Sequence, residues 1–259
     1  MVKESSDLKR DIGLSGTVLL GLGSMLGSGV FVSIALAETM VGAWVLPAIL
    51  LAAALAGCNA LSSAQLAASH PRAGGTYEYG HVYLSPSAGF LAGLAFLMAK
   101  GASAATAIPR VPIAIALVAL LTALVLAGLR RANWLNAAIV GFVVLVLVVL
   151  IVSGTLAPGT MPDFVSSDAS ADTFLHASAL LFVAFTGYGR VATLAEEVRD
   201  PARTIPPAIA VTIVATSLLY LGIGWVLARV PLGETEAATV LEAAALAIGS
   251  PGLALAVAL

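Results

Sequence analysis

The sequence predicts an all-α polytopic membrane protein. Three observations predict it: an extreme apolar composition, the length of the apolar runs, and the placement of a few basic residues. Of 259 residues, 60% are hydrophobic and 10% charged, with a mean hydropathy of +1.04. Soluble domains run at about 45–50% apolar and about 25% charged. Too little ionic surface remains for a water-facing globule, so a soluble enzyme is excluded. A membrane helix needs about 20 consecutive apolar residues, and backbone groups in lipid must pair within their own segment. The runs are therefore read as helices even where β-branched residues dominate.

Residues 1–11 are polar and precede a long Gly-rich apolar run without a small-residue cleavage site. They are predicted as a cytoplasmic tail, not a removed signal peptide. Spans are expected at residues 12–37, 43–69, 85–108, 111–129 and 134–154, making a first five-helix unit over 12–154. The fifth is the most apolar, with eight consecutive aliphatic residues from Val143 to Leu150. A loop over 155–173 follows, then spans at 174–195 and 205–230 and an apolar stretch from Pro251 that reaches Leu259, too short to cross. Residues 174–259 thus form a partial second unit, giving seven full spans plus the start of an eighth. The single cysteine, Cys58, lies inside the second run; it reads as a small buried residue and permits no intrachain disulfide.

A net charge of -2 arises from few groups and forms no basic patch, so no nucleic-acid partner is expected. Placement says more. Lys3, Lys9, Arg10, Arg72, Arg130, Arg131, Arg199 and Arg203 fall on one side of the predicted topology, against Arg110 and Arg229 on the other; the loop with Asp163, Asp168 and Asp172 has no Lys or Arg. This bias predicts a cytoplasmic amino terminus, and the expected location is the plasma membrane as a multi-pass protein. Lys100 within the third span and Arg190 near the end of the sixth are costly in lipid, and face protein or water or snorkel to the interface.

Two spans carry glycines at mid-depth. The first contains Gly27-Ser28-Gly29-Val30-Phe31, and the sixth contains Phe182-Val183-Ala184-Phe185-Thr186-Gly187-Tyr188-Gly189. A dinucleotide fingerprint is rejected, because no βαβ unit or G-x-G-x-x-G spacing accompanies the glycines. Gly23 and Gly27, like Gly89 and Gly93, have the small-xxx-small spacing that lets membrane helices approach. Helix packing accounts for Gly23, but glycines flanking Ser28 weaken the helix and leave backbone groups without partners. Gly-interrupted spans at matching places in two halves point to a transporter site, ahead of a channel, a receptor or an intramembrane enzyme. Half-helix ends offer N–H groups to a carboxylate and carbonyls to an ammonium, and an amino acid presents both. No cofactor, metal or catalytic residue is expected: HExxH, GxSxG and paired mid-membrane carboxylates are absent, and His70, His81 and His176 are scattered near span ends.

Two loops complete the pattern. Pro71-Arg72-Ala73-Gly74-Gly75-Thr76-Tyr77 reads by itself as an interfacial turn, and Glu196-Glu197 through Arg203-Thr204-Ile205-Pro206 as a solvated loop before a helix. Together with the glycine motifs, and in the same order, these segments resemble the amino acid, polyamine and organocation (APC) superfamily of permeases, close to its cationic and general amino acid branches. The resemblance implies a LeuT-like inverted-repeat fold, secondary active transport by alternating access, an amino acid as substrate, and a proton or sodium ion as coupling ion. It also implies site residues: Gly27, Ser28 and Gly29 for the substrate carboxylate, Val183, Ala184 and Thr186 for its amino group, and Phe31, Phe185 and Tyr188 as gating or pocket residues.

Three departures shape the expectation. Gly189-Arg190 stands where many relatives carry an acidic residue, which favours a small neutral substrate. Phe142 and Val143 stand near the place of a span-five lysine found in some relatives, which leaves the coupling ion open. The family has about twelve helices, so the chain is expected to be a truncated permease lacking half of the second repeat. The alternative is a non-transporting fragment, sensor or assembly subunit that retains the motifs. Oligomeric state is not encoded in these features.

Overall fold

A computed structural model describes residues 12–27, 29–72, 74–105, 129–159, 161–162, 164, 169–230 and 240–258. Among these the backbone is nearly all helical, and extended pairing is confined to one bridge between Ile12 and Val198. The first predicted span is two helices, α1 (Leu14–Met25) and α2 (Ile34–Val41), joined through a π-helical turn at Gly29–Ser33. A short 3-10 turn, Gly42–Trp44, leads into α3 (Val45–Ser69), then α4 (Thr76–Tyr83) and α5 (Pro86–Ala105). After α6 (Leu129–Leu156), the sixth span is again split: α7 (Ala171–Phe185), a 3-10 turn at Thr186–Tyr188, and α8 (Gly189–Thr193). The long α9 (Pro201–Leu227) and the short α10 (Val240–Ala247) and α11 (Pro251–Ala258) complete the described chain.

Among the described residues, four stretches are long and apolar enough to cross a bilayer: Val30–Ser69, Trp134–Leu156, Ala171–Thr193 and Pro201–Leu227. Leu14–Met25 and Pro86–Ala95 are apolar but shorter. The chain is therefore a polytopic helical membrane protein. The seven predicted spans map onto it unevenly, because the interruption divides the first and because residues 111–128 lie outside the described residues. At 40 residues Val30–Ser69 would reach about 60 Å as one helix, about twice the hydrocarbon thickness. It bends instead at Gly42, whose φ of 55° is a conformation that suits glycine.

Helix α3 packs most extensively against α9 and α7, and α1 against α9. Its buried face carries Ala48, Ala52, Ala56, Ala60 and Ala64, a row at every fourth residue. Lipid tails are as apolar as leucine, so association rests on close van der Waals approach, which a row of alanines permits. Cys58 lies two residues off this row and is exposed, which corrects the expectation that it is buried. Glycines tighten other contacts. A Cβ on Gly23 would sit 2.8 Å from Val140 on α6, and one on Gly21 2.8 Å from the Thr212 hydroxyl on α9, so Gly23 has the packing role expected of it. Gly89 and Gly93 also pack closely, but against Tyr77 and His81 of α4 and not against another span.

The loop after α3 is more than an interfacial turn. Gly74 and Gly75 have φ of 127° and 53° and turn the chain into α4, so its Glu78 meets His70 at 3.2 Å and Arg72 at 3.6 Å. Gly75 itself lies against Thr193 at the end of α8. The second loop also differs from expectation, since α9 begins at Pro201 rather than near residue 205. Asp200 caps it in a left-handed conformation with φ of 47°, and Pro201 needs no hydrogen-bond partner for its nitrogen there.

Candidate functional site

The two interruptions face each other. The α1 backbone stops at Met25, where the Leu26 N–H still donates to the Leu22 carbonyl at 2.8 Å and the Val30 N–H picks up the Gly27 carbonyl at 3.2 Å. Opposite, the α7 backbone stops at Phe185, and the Thr186 hydroxyl turns back onto the Val183 carbonyl at 2.7 Å. Ser24 on α1 donates its hydroxyl to the Gly187 carbonyl. A Cβ at Gly187 would lie 2.5 Å from the Ser24 carbonyl oxygen, so the absence of a side chain there lets the breaks meet.

Of the predicted site residues, Gly27 is exposed, with open space where a Cβ would stand. Among the described residues no side chain packs where its Cβ would stand, unlike Gly23 four residues earlier. Gly29 opens the π-helical turn, and Ser28 lies outside the described residues. Thr186 is exposed and Val183 has 63% of its surface exposed, whereas Ala184, Phe185 and Tyr188 are buried. Phe185 stacks obliquely on Tyr220 of α9 with ring centroids 4.9 Å apart. Phe31 lies apart from this group. It lines an apolar groove of about 510 Å³ with Phe142, Val143 and Leu147 of α6 and Val257 of α11. The structure thus brings Ser24 and Met25 together with the Ala184–Gly187 turn, with Gly27 two residues further along the first break and Phe31 in the neighbouring groove.

Tyr220 belongs to this centre and was not picked out from sequence. Its side chain is fully buried, its hydroxyl donates to the Met25 carbonyl at 2.8 Å, and the Ala184 carbonyl lies 3.4 Å away. One turn and two turns earlier on α9, Thr216 donates to the Met25 sulfur at 3.3 Å and Thr212 lies against Gly21. The signal was present as polar residues at 212, 216 and 220, the spacing of a single helix face, in a helix whose other residues after Thr204 are apolar except Ser217. Among the described residues no group of three or more His, Cys, Asp or Glu side chains could hold a metal ion.

Away from the breaks, backbone joins the two halves at one end of the bundle. The Ile12 N–H donates to the Glu197 carbonyl at 3.1 Å and the Arg199 N–H to the Ile12 carbonyl at 2.9 Å, which ties the start of α1 to the segment after α8. At the other end of the bundle the Trp44 indole donates to the Phe164 carbonyl at 3.1 Å, and its ring meets Phe164 and Phe174 edge-on.

Fold and site define a class: a polytopic helical membrane protein with a pair of interrupted helices meeting inside the bundle. The amino acid permease family model matches residues 16–247, and the chain belongs to that family. It is 42% identical over 228 residues to an uncharacterized transporter of Mycobacterium tuberculosis, covering 83% of this chain and 51% of that protein. It is 29% identical to the low-affinity putrescine importer PlaP of Escherichia coli, covering 83% of this chain and 53% of the importer. It is 24% identical to the branched-chain amino acid permease BcaP of Bacillus subtilis, covering 86% of this chain and 55% of the permease. The chain spans about half the length of these curated relatives.

Proposed function

We propose that the chain forms the substrate-binding part of an amino acid permease of LeuT-like inverted-repeat design, which carries a small neutral amino acid across the plasma membrane by alternating access. One observation carries the reading: the breaks in the first and sixth spans touch through Ser24 and Gly187. Backbone that leaves the helix at this depth supplies both signs of partial charge, N–H groups for a carboxylate and carbonyls for an ammonium. Gly27, Ser28 and Gly29 hold the carboxylate; Val183, Ala184 and Thr186 receive the amino group; Phe185, Tyr188 and Phe31 close the pocket. Neutral substrate is favoured because the charged side chain nearest the sixth-span break in sequence is Arg190, not an acid. Residues 12–154 and 174–259 then correspond to the first repeat and to part of the second, and the coupling ion is a proton or sodium.

Uptake tests this directly. The chain, and any longer form that its gene encodes, is reconstituted in proteoliposomes and offered labelled L-alanine, L-leucine, L-arginine and putrescine under proton and sodium gradients. Saturable uptake of alanine or leucine is expected. Preference for putrescine or arginine overturns the neutral assignment, and no saturable uptake by the longer form overturns transport and favours a sensor or assembly subunit.

A further inference from the structure

We infer that Tyr220 is a positioning residue that holds the two helix breaks in register for the substrate, an inference that rests on the permease reading. An interrupted helix leaves terminal carbonyls without the N–H donors of a next turn. Two such ends converge here, those of α1 at Met25 and of α7 at Phe185. Both are carboxyl-terminal ends, so their dipoles point partial negative charge at one another. A donor between them relieves that repulsion, and Tyr220 supplies it from a third helix. Its phenol has one proton, given to the Met25 carbonyl at 2.8 Å, while the Ala184 carbonyl stands 3.4 Å from the same oxygen.

The strut is stiff. The Tyr220 ring is fully buried and fixed by Phe185 at 4.9 Å. Thr216 anchors the Met25 side chain from the same face of α9, and Gly224, one turn on, brings α9 against Ile49 of α3. A displacement of either break thus has to move the phenol, and through it the other break. The Ala184 carbonyl is one of those assigned to the substrate ammonium. Tyr220 sets its distance from the first-span break and therefore the length of zwitterion that fits.

Replacing Tyr220 with phenylalanine keeps the ring and removes the donor. Tyr220→Phe is expected to raise KM for the amino acid carried best by the wild type by about three- to tenfold, as loss of one buried hydrogen bond implies. KM is independent of how much protein folds, so reduced accumulation of the variant does not blur the reading. Incorporation of 4-aminophenylalanine at position 220 restores an N–H donor at the same ring position and is expected to return KM to within about twofold of wild type. Unchanged KM in Tyr220→Phe overturns the assignment. So does an equal rise in both variants, because then the donor is not what matters. A wild type without saturable uptake overturns the permease reading itself and is recognised before either variant is measured.

Discussion

Gly27 and Gly187 sit at the two breaks under opposite constraints. At Gly187 an added Cβ meets Ser24 backbone at 2.5–2.6 Å, and backbone cannot yield as a flexible side chain can. Gly187→Ala is expected to destabilise the protein by about 1–3 kcal/mol, the range for overpacking, and to lower its thermal midpoint in detergent. At Gly27 the same methyl enters open space, and the residue is outside the left-handed region that favours glycine. Gly27→Ala is expected to change stability by no more than about 0.5 kcal/mol while raising KM for the transported amino acid. A thermal-shift series with uptake on both variants separates the two roles. Unaltered uptake in Gly27→Ala removes this glycine from the substrate site, and an unaltered melting midpoint in Gly187→Ala removes the close approach as the reason for the glycine there.

At the scale of elements, α4 shows what the interfacial loop does. Its Tyr79 is buried, its hydroxyl has no hydrogen-bond partner among the described residues, and burial pushes its pKa up to about 12, with Tyr83 and Glu78 adding to the shift. The folded chain keeps this proton where the unfolded chain gives it up. The stability so contributed is whole below pH 10 and is lost as pH rises from 10 toward 12. Absorbance titration of wild type against Tyr79→Phe is expected to assign the latest-titrating phenol outside the membrane to Tyr79, and the variant is expected to lose less stability over that range. A Tyr79 that titrates at 10 places α4 away from the bundle. Neither α4 nor α10 was legible in sequence, since each has eight residues, too few for a periodic signal against an apolar background. The breaks were legible because glycine in mid-membrane conflicts with the backbone pairing that lipid demands. The Ala48–Ala64 row and the 212–216–220 face were also written in the sequence, but reading them needs knowledge of which helix face is covered, and packing alone supplies that.

For the whole molecule, the two ends of the bundle carry different chemistry. One end holds the Ile12–Val198 bridge and the His70–Glu78–Arg72 cluster, and exposes Arg72, Arg190, Arg199 and Arg203. The opposite end holds the Trp44 aromatic group and, among the described residues, Arg229 as its basic side chain, donating to the Thr155 carbonyl at 3.1 Å. Among the described side chains, folding places at one end Arg72, Arg199 and Arg203, three of the eight basic residues that sequence alternation assigned to one side, although that alternation ran through residues 111–128, outside the described structure. Basic residues are retained on the cytoplasmic face during insertion, so the bridge end is expected to face the cytoplasm. Single cysteines decide it. On a Cys58→Ser background, Ala202→Cys at the start of α9 and Met161→Cys beyond α6 each replace an exposed side chain at opposite ends. In intact cells a membrane-impermeant maleimide is expected to label Met161→Cys and to reach Ala202→Cys only after permeabilisation. The reverse pattern inverts the topology and with it the side from which substrate enters; labelling of both in intact cells removes the separation of the two ends by a bilayer.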